Sequence, residues 1–284
     1  MSTVPMKLNS FNGIGWNQKA TVTLSIGPTY EEIFLETNLD LDQVKRVAVI
    51  LNGEEIYIMT GLELKMLEEY KRRDDIKDQE IGNGFLVIPF SDISGKTKNG
   101  IRSSALVTEN GDNITLEIEI GEQSQEEYAP TQPIIEAWAT VSPAQEKRLV
   151  IPRIRPETMQ ATSRENEFLN LVSSNNVYIR RMHFEYAKIE KLRVYRDRVK
   201  VYEASTKFCY ALAARNQRGA WKQTQIECFH FDPTMRGFYI NELFPTAHQS
   251  ELKFTVNTSE VPGSIRILVE SIELLPAAKA ELKE

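Results

Sequence analysis

The chain has 284 residues, 41 % of them hydrophobic and 26 % charged, with a formal charge of −6. Ordinary globular usage excludes a disordered tail, a collagen-like fibre and a disulfide mini-protein. The negative balance argues against nucleic acid as an electrostatically recruited partner. That charge is uneven, −10 over residues 1–149 and +4 over 150–284. Two cysteines, Cys209 and Cys228, cannot build a disulfide framework and point to a reducing compartment. The first residues lack a signal-peptide core, and no run of about 18 apolar residues predicts a membrane span. The Asn113 and Asn257 glycosylation sequons are read as chance matches for the same reason.

In chain order most segments read as strands. Ala20 to Ile26 alternates, with Val22, Leu24 and Ile26 on one face, and Gly27-Pro28 ends it. Tyr30–Glu36 and Val44–Leu51 follow, and Asn52-Gly53 predicts a hairpin into Glu54–Met59. Thr60-Gly-Leu-Glu63 is a capping box opening a helix with Leu62, Met66, Leu67 and Tyr70 on one stripe, and Lys71, Arg72 and Arg73 at its negative end. Further strands are expected at Gly84–Phe90, Asn113–Ile120 and Ile134–Val141, the second with Ile114, Leu116, Ile118 and Ile120 on one face and acids on the other.

Ser142 to Pro156, with three prolines, is expected to interrupt regular pairing as a linker. Thr162-Ser-Arg-Glu165 predicts a second capped helix, before Phe168, Leu169, Leu171 and Val172. A third helix is expected from Ser205 to Gly219, with Phe208 and Leu212 inward. Shifting the register by 145 aligns Val47 with Leu192, Val49 with Val194, Asn52 with Asp197, Ile56 with Val201, Tyr57 with Tyr202, Thr60 with Ser205 and Leu67 with Leu212. The order strand, turn, strand, helix thus occurs twice, and three later strand pairs correspond in type. Two all-β domains, residues 1–143 and 144–284 with a linker near 142–160, follow from this duplication. Each holds roughly eight short antiparallel strands, which must close into a barrel or sandwich to avoid open edges; the long connections and inserted helix favour a jelly roll.

The chemistry-bearing patterns fall short. Gly95-Lys96-Thr97 lacks the earlier glycine of a phosphate loop, Phe90 standing in its place. Gly13-Ile-Gly15 reads as a turn. The three histidines, His183, His230 and His248, are too dispersed for a metal-dependent jelly-roll enzyme, and His230 reads as a hydrogen-bonded structural residue. The cysteines read as buried rather than nucleophilic. Asp74, Asp75, Asp78 and Glu80 read as a solvated acidic turn, not a calcium loop. No catalytic set remains, so no enzyme is expected. Arg180, Arg181, Lys188, Lys191, Arg193, Arg196, Arg198 and Lys200 form a basic, aromatic-interleaved stretch. It is read as a cationic strand face, solvated or meeting the acidic half of another subunit or anionic lipid headgroups.

Leu8-Asn9-Ser10, then Leu24, Ile26-Gly27, Thr29-Tyr30-Glu31, Ile33 and Leu35, then Gln43, Lys45, Val47, Val49, Leu51 and Gly53 in their spacing resemble the opening of a corticovirus major capsid protein. The family belongs to tailless icosahedral bacteriophages with an internal membrane. The resemblance implies a double jelly-roll coat protein, three chains forming a pseudo-hexagonal homotrimer that tiles the virion shell above the lipid, assembled in the host cytoplasm. It implies as partners neighbouring capsomers, vertex and membrane proteins and the viral membrane, with no sequence-specific nucleic acid. No cofactor is expected, though structural Ca²⁺ occurs in the family. Two alternatives stand beside it. One is a tandem jelly-roll carbohydrate-binding module using Trp16, Trp138 or Trp221, although Trp138 reads as core. The other is an amidase or glycosidase, needing two carboxylates across a cleft.

Overall fold

The computed structural model describes residues 3–71, 85–91, 104–125, 130–216, 218, 226–233 and 243–276. The strands fall into two series. The first comprises β1 (Val4–Lys7), β2 (Lys19–Thr23), β3 (Thr29–Thr37), β4 (Val44–Leu51), β5 (Glu54–Met59), helix α1 (Gly61–Lys71), β6 (Phe85–Pro89), β7 (Leu106–Val107), β8 (Ile114–Ile120) and β9 (Ile135–Ser142). The second comprises β10 (Val150–Ala161), β11 (Glu165–Phe168), β12 (Val177–Phe184), β13 (Ile189–Arg196), β14 (Val199–Ser205), helix α2 (Thr206–Arg215), β15 (Phe229–Phe231), β16 (Phe244–Pro245), β17 (Leu252–Thr258) and β18 (Gly263–Leu274).

The pairings repeat strand for strand. In the first series β1-β9-β3-β6 make one sheet, with β7 also on β3, and β2-β8-β4-β5 make the other. In the second, β10-β18-β12-β15 with β16 on β12 face β11-β17-β13-β14. Each series is a jelly roll: two four-stranded antiparallel sheets whose neighbours are distant in sequence. The bulges repeat too. Register slips after Tyr30 in β3 and after Ile179 in β12, at equivalent positions. Parallel pairing of β5 with β10 at Tyr57 and Ile154 fuses one sheet of each barrel into a continuous layer.

Alternation explains the elements. Ile114, Leu116, Ile118 and Ile120 of β8 are buried, as expected, beside Val22, Ile33, Val47 and Val49 in the first core. The second core is aromatic: Phe231 packs edge-on against Phe254, Phe244 and Tyr202. Asn52 and Gly53 both take positive φ, as a tight hairpin turn demands. Asp197 and Arg198 do the same in the second barrel without a glycine. There the Asp197 carboxylate accepts backbone N–H bonds from Gln249 and Ser250, at 2.8 and 2.7 Å, which holds the turn.

Several expectations need correction. The Thr162–Glu165 capping box starts no helix; Glu165–Phe168 is strand β11, paired with β17. Asn166 turns back to accept the Ser163 N–H, and Val172, which a helical stripe would bury, is exposed. Helix α2 does begin after an N-cap at Ser205, but it presents Cys209 and Ala213 inward and leaves Phe208 outside. Its described part ends at Arg215, Gly219 lying outside the described residues. The irregular stretch is only 143–149, because β10 pairs with β18 along its full length despite Pro152 and Pro156. Proline is tolerated there because β10 lies beside β18 on one side and meets β5 at a single bridge on the other. Trp138 points outward from β9 instead of into the core. Lys71 lies at the helix end as expected, whereas Arg72, Arg73 and the Asp74–Glu80 acids fall outside the described residues, as does Gly95-Lys96-Thr97.

Candidate functional site: the joint between the barrels

The eight basic residues singled out from sequence do not form one face. Arg180, at the β12 bulge, and Arg181 are buried, which contradicts a solvated or lipid-facing role for them. The rest are spread over β13, β14 and their turns. Lys188 pairs with Glu260, Lys191 and Lys200 both pair with Glu203, and Arg193 pairs with Glu165 at 2.7 Å. Arg196 lies over the Phe244 ring, 4.4 Å from its centroid. Arg198 is exposed at the hairpin turn. Most of this positive charge is thus neutralised within the second barrel.

Arg181 instead centres a buried polar network where α1 of the first barrel meets the second barrel. Its Nε donates to Asp232 Oδ2 at 3.0 Å, and its Nη1 to Glu270 Oε2 at 3.3 Å. From α1, Tyr70 donates its hydroxyl to Asp232 Oδ2 at 2.9 Å, and Lys71 Nζ lies 3.8 Å from Glu270 Oε2. Arg218 adds a further cation 3.5 Å from Asp232. His183 Nε2 is 2.8 Å from Glu270 Oε1, and the Nδ1 atoms of His183 and His230 are 2.6 Å apart. At the Nδ1–Nδ1 contact one ring must donate and the other accept, so the two histidines and Glu270 form one hydrogen-bonded chain. Tyr70 stacks on His230 with centroids 4.1 Å apart.

Burial and neighbours set the protonation. Burial, then the adjacent His183, hold His230 well below its ordinary value, so it stays neutral. Burial alone would raise Glu270, but Lys71, Arg181 and the His183 bond hold it well below the carboxylate range. Burial and the Asp232 carboxylate push Tyr70 well up. Charge removed from water survives only when paired this closely.

At the other end of α1, Glu63 closes the predicted capping box, accepting the Thr60 N–H at 2.6 Å while Thr60 Oγ1 accepts the Glu63 N–H at 3.2 Å. The same carboxylate takes Arg266 of β18, at 2.7 and 3.2 Å. Beside it, burial and then Glu63 push the Glu185 carboxyl up to about 8. At the strand joint Arg153 forks onto Glu54 at 2.7 and 3.0 Å. Leu268 and Cys228, from the second barrel, complete the first barrel's apolar core. The joint is therefore ionic at its edges, apolar between, and closely ion-paired around Arg181 and Glu270 where it is deepest.

Sequence reading placed His230 correctly as a hydrogen-bonded structural residue and both cysteines as buried. It missed Tyr70, Lys71, Arg181, Asp232 and Glu270 as one unit. The available signal was β18, where Ile265, Ile267 and Val269 make one apolar face while Leu268 stands between Arg266 and Glu270 on the other, an apolar side chain among charges that marks that face as covered. Among the described residues no group of three or more His, Cys, Asp or Glu side chains is placed to hold a metal ion. No helix among them is long and apolar enough to cross a membrane.

The comparisons fit this architecture. The family model for the viral coat protein P2 N-terminal domain matches residues 5–142, and that for its C-terminal domain matches 151–275. The chain belongs to the viral coat protein P2 family. As a family member it is a structural major capsid protein, self-associating in the capsid of a virion. Among solved structures, the major capsid protein P2 of bacteriophage PM2 superposes with a TM-score of 0.82 at 18 % identity, over 96 % of this chain and 98 % of that one. The capsid protein of Sulfolobus turreted icosahedral virus gives 0.67 at 10 % identity, over 98 % and 99 %. The PBCV-1 capsid gives 0.64 at 8 %, over 98 % and 95 %. At such identities these likenesses establish the shared double jelly-roll fold. No curated protein sequence matches the chain.

Proposed function

We propose that three copies associate into a homotrimeric, pseudo-hexagonal capsomer. In it six equivalent barrels tile an icosahedral bacteriophage shell over an internal lipid membrane, with assembly in the host cytoplasm. The observation that carries this is the strand-for-strand identity of the two barrels together with the buried network that fixes one against the other. A tile of sixfold outline from three chains needs two interchangeable walls held at one angle. An ionic network with so few satisfactory geometries supplies that constraint, whereas an apolar joint could slide.

In this reading the protein works through interfaces and not as an enzyme. Its partners are its own copies, then neighbouring capsomers, vertex and membrane proteins and the membrane itself. Of the basic stretch, the exposed Arg198 is a candidate for those outer contacts, with Lys188, Lys191 and Lys200, which also pair with Glu260 and Glu203, beside it. Negative-stain microscopy of the purified protein tests the tile: hexagonal particles of three subunits support it, and isolated two-lobed particles at all concentrations contradict it.

A further inference from the structure

The joint inside the chain occurs once, yet the surfaces that build it occur twice. Ladder register makes the equivalences explicit. Tyr30 faces Val141 and Ile179 faces Ser271, so β9 corresponds to β18 with Trp138 in the place of Leu268. Val4 faces Val141 and Arg153 faces Ser271, so Val4 holds the place of Arg153. Leu35 faces Leu86 and Phe184 faces Phe229, so Phe85 holds the place of Cys228. On the other side Leu51 faces Glu54 and Arg196 faces Val199, so Val199 holds the place of Glu54 and Val201 that of Ile56. The helix N-caps Thr60 and Ser205 put Phe208 in the place of Glu63.

Inside the chain these positions are joined: Arg153 with Glu54, Glu63 with Arg266, and Ile56, Leu268 and Cys228 buried. Their equivalents are bare. Val199, Val201 and Phe208 are 64 %, 46 % and 58 % exposed, and Val4, Phe85 and Trp138 are 48 %, 39 % and 38 % exposed. These are six of the twelve exposed large apolar side chains among the described residues. β14 and β1, the equivalents of the joined strands β5 and β10, are both open sheet edges. Open edges beside bare apolar side chains are what proteins cover.

We infer that β14 and Phe208 of one copy seat on β1 and the outer β9–β6 face of the next, repeating the internal joint between chains. This rests on the proposed self-association and names its contact. The patches differ, so the contact is head-to-tail and closes a ring. The ion pair Arg153–Glu54 becomes the apolar pair Val4–Val199, and the Glu63–Arg266 contact becomes Phe208 against Trp138 and Glu136, which holds the place of Arg266 and whose charge Lys7 pairs at 2.5 Å. Apolar side chains suit the joint that must form between separate molecules, because they leave no buried charge unpaired when a partner arrives out of register.

Sedimentation velocity of the full-length protein across a concentration series tests this. Val199→Glu, Val4→Arg and Phe208→Glu all change exposed side chains, and circular dichroism checks that each variant folds. Each single change is expected to raise the concentration for half-assembly at least about tenfold. Combining Val4→Arg with Val199→Glu rebuilds the internal Arg–Glu pair across the joint and is expected to restore most of the loss. If the wild-type protein assembles and the single variants assemble equally well, or the double variant shows no rescue, this joint is wrong while the tile stands. If the wild-type protein stays monomeric throughout, the tile and the joint fall together.

Discussion

Replacing Arg181 by methionine tests the buried network. Methionine fills most of the volume but removes a group that bonds both Asp232 and Glu270, at 3.0 and 3.3 Å. Those carboxylates are not wholly abandoned, since Asp232 keeps Tyr70 and Arg218, and Glu270 keeps Lys71 and His183. The loss should therefore fall near the lower end of the range for breaking a buried pair, about 3 kcal/mol, lowering the melting temperature by roughly 6 °C in a chain of this size. The pH dependence carries the specific signature. Glu270 has its folded pKa depressed, so its contribution is present above the unfolded value of 4.5 and is lost as pH falls through the folded one. Without Arg181 that depression weakens, and the gap between wild type and variant should hold from pH 7.5 to about 5 and narrow as pH falls below 4.5. Thermal melts across that range read both effects. A loss under about 1 kcal/mol, or a gap that does not change with pH, would refute the network as a source of inter-barrel rigidity.

Three further outcomes follow from the same joint. Glu185 titrates near 8 in the folded protein, above its unfolded value, so it contributes fully below about 4.5 and that contribution fades as pH climbs toward 8. Wild-type unfolding free energy from urea titrations should therefore fall between about pH 5 and 8 with a slope of up to about 1.4 kcal/mol per pH unit and level off above 8, and Glu185→Gln should flatten it; equal slopes would exclude Glu185 as the cause. Thr60→Ala removes one half of the capping box and should cost about 1 kcal/mol in a urea titration. At Gly61 an added Cβ would collide with the Leu41 carbonyl oxygen and lie 2.9 Å from Val44 Cβ, so Gly61→Ala should destabilise by roughly 1–3 kcal/mol, read as a lower melting temperature.

What the sequence makes legible is whatever repeats locally. The alternation of β8, the Asn52-Gly53 turn, the Thr60 cap and the duplicated strand–turn–strand–helix order are encoded within a few residues and appear in the fold. What it conceals depends on the other face of an element. Trp138 and Leu268 occupy equivalent positions, one exposed and one buried, because Leu268 joins the first barrel's apolar cluster beside Leu64 and Leu67 of α1, whereas Trp138 faces out from β9. Arg181 sits in a run of cations that reads as a wet strand, yet its partners Asp232, Glu270 and Tyr70 come from distant segments. Pro152 and Pro156 looked like breaks in pairing, and long antiparallel contact with β18 overrides them. The capping-box match at Thr162 lost to a four-residue alternation that completes the β17 edge.

The mass of the purified protein in solution is the most direct test of a chain that duplicates its wall in order to close in threes. Sedimentation equilibrium at micromolar concentration should return three times the 32.5 kDa of the chain. A single 32.5 kDa species, unchanged by concentration or salt, would contradict it.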